Sequence, residues 1–232
     1  MANWITHTLL ADEILRHLPH LDRRSFVVGS IAPDCNVENA DWSGFTPPRE
    51  VTHFMLGDKK TSADLDGFWA RYIEGRKFSS NEERSFFLGY WAHLALDVMH
   101  MRFIRDEQRV AASFERVKKV PEMRTAIAGE EETLDTLKTV FGKDNVFADI
   151  VRFERRLLSQ KKDPSYKTIL PSVSSFPDYF DLLPKGAIVR KIPILMQRQD
   201  ALPDAGDSVF FTAEEYDAYF RAAIQFVLNQ IG

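Results

Sequence analysis

Apolar residues recur at helical spacing along most of the 232-residue chain, and no stretch shows the period-2 alternation of a half-buried strand. Leu9, Leu10, Ile14 and Leu18 predict a helix over 6–18 that Pro19 ends, and Asp22 is placed to cap a short helix leading to Gly29. Residues 30–48, with three prolines and several Asn and Asp, read as a long loop. Pro47 and Pro48 suit the first turn of a further helix carrying Val51, His53, Phe54 and Met55. A short amphipathic helix over 64–74 is closed by Gly75. Ser80 then opens a capping box, in which Glu83 can reach back to the Ser80 amide. The helix from 80 to about 104 is apolar on nearly every side, through Phe86, Phe87, Leu88, Tyr90, Trp91, Leu94, Leu96, Val98, Met99 and Met101, which predicts a central, buried position.

Helices are also predicted over 130–141, 145–159 and 212–231, the last with a capping box of Thr212 and Glu215. Six prolines between 163 and 207 confine any helix there to short pieces around Phe180 and Ile194, and segment 160–207 is expected to pack on the helical body. The expectation is an all-α, single-domain bundle over 1–232 around one central buried helix. A formal net charge of −4 without a long basic tract supplies no electrostatic footprint for nucleic acid. No stretch approaches the ~18 consecutive apolar residues of a membrane span. The N-terminus has no signal-peptide pattern, and the single cysteine, Cys35, forms no internal disulfide, so a cytoplasmic location is expected.

Against that background the histidines stand out. His93, Asp97 and His100 are spaced i, i+4, i+7, so they project from one face of the greasiest helix in the chain. A buried carboxylate without a partner is costly, and a divalent cation held with neutral imidazoles removes the cost. A His and an Asp one turn apart can instead simply hydrogen-bond each other. Company argues for the metal: His7 lies on the buried stripe of the first helix, Asp34 follows a helix exit, and His53 stands on the next helix. His100 is a possible extra ligand or a core histidine. Cys35 is a possible soft ligand or a small buried thiol. Trp42 and Phe45 could wall a substrate pocket or pin the long loop. Arg102 and Arg105 could meet a phosphate or stay solvated at the helix end.

The runs Trp4-Ile-Thr-His7, Gly29-Ser-Ile-Ala-Pro-Asp34, Thr52-His53-Phe54 and Gly89-Tyr-Trp-Ala-His93-Leu-Ala-Leu-Asp97 resemble the bacterial zinc-dependent phospholipase C family, which shares an all-helical fold with the single-strand-specific zinc nucleases. The resemblance covers roughly the first 105 residues. It implies a Zn2+ ion held by Asp34, His53, His93 and Asp97, and a second held by His7 with Asp97 bridging; another divalent metal could take their place. It also implies that Asp34 orients or deprotonates the attacking water. Two such ions suit hydrolysis of a phosphodiester or other phosphoester, with a small-molecule or lipid-like substrate. Members with three metals use a processed N-terminal Trp and later histidines, whereas Trp4 is internal and no histidine follows His100. An HD-type phosphohydrolase needs an adjacent His-Asp pair, which is absent. The alternative is a non-catalytic relative keeping a structural metal, but a carboxylate-rich donor set favours an open, catalytic site.

Overall fold

The computed structural model describes residues 3–41, 43–57, 63–200 and 208–232, with the backbone alone at 198–200. The helices in chain order are α1 (Trp4–His17), α2 (Arg23–Gly29), α3 (Arg49–Thr52), α4 (Leu65–Tyr72), α5 (Asn81–Arg105), α6 (Glu107–Val117), α7 (Pro121–Ala126), α8 (Leu134–Phe141), α9 (Lys143–Ser159), α10 (Ser165–Thr168), α11 (Ala187–Asp200) and α12 (Ala213–Ile231). Two-residue strands β1 (Val37–Glu38) and β2 (Phe45–Thr46) pair antiparallel, and 3₁₀ turns occupy Ala32–Asp34 and Leu170–Ser172. The fold is all-α, as expected. Among the described residues, no helix is long and apolar enough to cross a membrane.

The central helix is α5. Its residues from Phe86 to Val98 are buried without a break, and each fully buried large apolar side chain contributes on the order of 1.5–3 kcal/mol. Ser80 caps it by accepting the Glu83 amide at 3.2 Å. The expected return bond from Glu83 to the Ser80 amide is replaced: Glu83 accepts from Arg76 at 2.6 Å and from the Ser79 amide and hydroxyl at 2.7 Å. A charge-assisted bond to Arg76 outweighs a neutral backbone amide.

Helix α2 crosses α5 with the two backbones in contact. A Cβ at Gly29 would lie 2.2 Å from the Phe86 carbonyl oxygen, and one at Gly89 would lie 2.2 Å from that of Phe26. Only two glycines facing each other allow this approach. It brings the end of α2 and the 3₁₀ turn after it against the middle of α5.

Helix α1 contacts α2, α5, α9, α10 and α12. Two buried carboxylates fasten it. Asp12 accepts from Arg23 at 2.9 Å and from the amide and hydroxyl of Ser165 at 2.9 and 2.5 Å, which binds α10 to α1. Glu154, 1% exposed on α9, accepts from Asn3 at 2.6 Å and from the Thr6 hydroxyl, while Tyr216 of α12 lies 3.0 Å from that hydroxyl. Burial raises the Glu154 carboxyl above its ordinary value despite these donors.

Several expected elements are revised. The loop over 30–48 contains the β1–β2 hairpin, clamped by Glu38, which accepts from Arg190 at 2.9 and 3.0 Å and from the buried Lys191. The helix expected to carry His53, Phe54 and Met55 stops at Thr52: His53 is its C-cap, and Phe54 has φ 50°, outside helical space. No helix forms at Phe180, where Pro177 and Pro184 bracket the chain. Its ring instead packs 4.7 Å from Tyr90 and 4.9 Å from Tyr72. The piece around Ile194 is longer than predicted, because α11 runs through Pro193 with Ala187, Ile188, Lys191 and Ile192 buried. Helix α6 was not expected, and the helix expected from 130 begins only at Leu134, after its Thr133 cap.

Candidate metal centre

The α2–α5 contact, the first turns of α1 and the short α3 converge on one point. His7 and His93 are fully buried, His53 and Asp97 are nearly so, and the Asp34 side chain is 18% exposed. His7 Nε2 lies 3.6 Å from Asp97 Oδ1. The other oxygen, Oδ2, lies 3.7 Å from His93 Nε2 and 3.8 Å from His53 Nε2. His53 Nε2 is 3.4 Å from Asp34 Oδ1 and 3.3 Å from His93 Nε2. The His7 and His93 rings stack at 3.7 Å. Donor atoms of two groups, His7–His93–Asp97 and Asp34–His53–His93, lie within 4.8 Å of one another inside each group.

The neighbours determine which ring atoms face inward. His93 Nδ1 is 2.8 Å from the Ser30 carbonyl oxygen. A carbonyl only accepts, so the proton sits on Nδ1 and the Nε2 lone pair faces the cluster. His53 Nδ1 is 3.2 Å from the Arg49 carbonyl and 3.0 Å from the Thr52 hydroxyl, which gives the same tautomer. The Tyr90 hydroxyl donates to the Thr52 carbonyl at 2.6 Å and ties this corner to α5. Burial, with His7 alongside, pushes His93 down to about 3, so its imidazole is neutral.

Burial would raise both carboxyls, but their surroundings reverse it. Asp34 is held well below the usual carboxylate range, with the Arg49 cation beside it and His53 at its edge, and Asp97, among His7, His93 and His53, is lowered as well. Asp34 also accepts the Trp4 indole N–H at Oδ2, 3.0 Å, and the Arg49 guanidinium at Oδ1, 3.1 Å.

His100 lies in neither group. It is buried with its ring 5.7 Å from Tyr219, and burial pushes it down to about 3. Cys35 is also outside both groups, its thiol donating to the Ile31 carbonyl at 3.3 Å. Phe45 is exposed on β2 with the Lys191 ammonium 5.4 Å from its ring, and Trp42 lies outside the described residues. Arg105 pairs with Asp135 at 3.5 Å, and Arg102 is exposed. Two residues at the site had no role assigned from sequence, Trp4 and Arg49. The signal was present: Trp4 is three residues before His7 and Arg49 four before His53, each about one helical turn away.

A family model described as zinc dependent phospholipase C matches residues 6–121, half of the chain. The chain belongs to the zinc-dependent phospholipase C family. The match begins within α1, ends where α7 begins, and contains all five clustered side chains together with Arg49. No curated protein and no solved structure matches the chain significantly.

The donors of this family member fit zinc. Both ring nitrogens of His7 are buried without a hydrogen-bond partner among the described residues, and the His53 and His93 lone pairs face each other at 3.3 Å. Neutral imidazoles and ionised carboxylates arranged in this way are complementary to a cation.

Proposed function

We propose that the chain is a zinc-dependent phosphoester hydrolase with a two-ion site, and that its whole length acts as one phospholipase C-like domain. One ion would be held by Asp34, His53, His93 and Asp97, the second by His7 and Asp97. The observation that carries this reading is the division of Asp97, with one oxygen toward His7 and the other toward the His53–His93 pair. His93 belongs to both groups, but a single Nε2 lone pair serves one ion, so the two-oxygen carboxylate is the residue able to serve two. The support of α1 by Glu154 and Tyr216 is the reason for including the C-terminal half.

When bound, zinc supplies positive charge for the phosphoryl oxygens and makes water more acidic. The residues supply the rest. Ser30, Arg49 and Thr52 lock the His93 and His53 tautomers. Trp4 and Arg49 aim the Asp34 carboxylate, which is the most exposed of the five side chains and the one placed to take a proton from water. The substrate class is a phosphodiester or another phosphoester, lipid-like or small.

The test is elemental analysis of chelator-free protein together with a panel of chromogenic phosphodiesters, phosphomonoesters and phosphatidylcholine. Two zinc ions per chain and turnover of at least one class are expected. Activity should fall on the acid side, because protonated imidazoles cannot bind zinc. Silence across the panel with zinc fully loaded would favour a structural metal instead.

A further inference from the structure

Arg49 meets the candidate centre twice. Its carbonyl accepts from His53 Nδ1 at 3.2 Å, while its side chain crosses to Asp34 Oδ1 at 3.1 Å. Among the described residues it is the arginine or lysine paired with Asp34, the most exposed of the five clustered side chains. The pairing is a single-point contact, Nη2 to Oδ1, and not the two-point fork that Arg and a carboxylate prefer. The reason is visible: the Trp4 indole already occupies Oδ2. A guanidinium has five N–H donors, so this contact leaves donors to spare. The side chain is 44% exposed against 18% for Asp34, which places the cation on the solvent side of the carboxylate, where a ligand approaches.

We propose that Arg49 is the anchor for a non-bridging phosphoryl oxygen of the substrate, presented at the mouth of the centre by α3. This rests on the hydrolase reading above. Two carboxylates in one cluster repel an anion, and a planar donor fork beside the outer one offsets that repulsion while fixing the phosphoryl group next to Asp34. Residue 49 would then set affinity for the phosphoryl group, with the His53 contact left to its backbone carbonyl, which no side-chain substitution removes.

The test uses the zinc-loaded full-length chain, as wild type, Arg49→Gln and Arg49→Lys, with circular dichroism to verify folding. Calorimetry measures binding of inorganic phosphate, elemental analysis counts zinc, and kcat and KM are measured on a phosphodiester and a phosphomonoester. Arg49→Gln should keep its zinc and lose phosphate affinity by roughly ten- to a hundredfold, the size of one charge-assisted hydrogen bond. KM should rise more than kcat falls, and Arg49→Lys should recover part of the affinity. Unchanged phosphate affinity in Arg49→Gln would overturn the proposal. So would loss of zinc along with phosphate, which would make Arg49 a counter-ion for Asp34. If wild type binds phosphate in an Arg49-dependent way but hydrolyses neither ester, the hydrolase reading falls and the anchor stands, because calorimetry does not depend on turnover.

Discussion

Asp97→Asn is expected to lose most of its bound zinc and essentially all hydrolysis, whereas Asp34→Asn keeps at least one ion and the fold. The difference follows from the geometry. Both Asp97 oxygens face imidazole nitrogens, Oδ1 toward His7 and Oδ2 toward His53 and His93. An amide can present an oxygen to only one side, and its NH₂ presents hydrogens to the other. It also removes the negative charge that would offset the two proposed cations. Asp34 stands at the edge, its two oxygens shared among Trp4, Arg49 and His53. Its amide could still accept a hydrogen bond there but could no longer take a proton, so the rate should fall by the ~10²–10⁴ typical of a lost general base. Zinc counts and rates on the two variants decide the matter. An Asp97→Asn protein with two ions and wild-type turnover would refute the bridging role.

The second large effect is on the fold. Gly89→Ala puts a methyl 2.2 Å from the Phe26 carbonyl oxygen, so α2 must move away from α5. Overpacking of this kind costs about 1–3 kcal/mol. Separating the helices also stretches the Ser30–His93 hydrogen bond, worth about 1 kcal/mol. For a chain of this length the sum corresponds to a fall in melting temperature of about 4–16 °C. Zinc affinity should fall with it, since His93 loses the carbonyl that fixes its tautomer. Gly75→Ala is the control: Gly75 has φ 64° and open space around it, so the cost is the ~1–2 kcal/mol of a left-handed backbone, with zinc affinity unchanged. Equal loss of zinc affinity in the two variants would show that the α2–α5 contact does not position the centre.

Much of this is legible in the amino-acid sequence itself. The continuous apolar surface of α5 announced its central place, and the i, i+4 step from His93 to Asp97 put both on one face of it. Local codes also read true at Asp22, Ser80 and Thr212, each of which caps its helix. Helix α6 also has a legible pattern, with Val110, Phe114 and Val117 stepping by four and three behind the Asp106 cap. Other features depend on distant partners and leave no local mark. The facing of Gly29 and Gly89 joins positions sixty residues apart, and nothing near Glu83 says that Arg76 will compete for it. Spacing alone leaves His100 open between ligand and core: it shares a face with His93 and Asp97, but three residues beyond Asp97 its ring meets Tyr219.

The indole of Trp4 gives the centre an optical readout. It is 2% exposed, and its only ring N–H donates to the Asp34 carboxylate at 3.0 Å. Indole emission responds to charge along that bond, so whatever changes the charge at Asp34 should change the colour of the fluorescence. A chain with Trp42, Trp69 and Trp91 replaced by Phe would leave Trp4 as its single tryptophan. A zinc titration of that chain should then shift the emission maximum stepwise as the Asp34 side of the centre fills, so that its loading can be followed without any substrate.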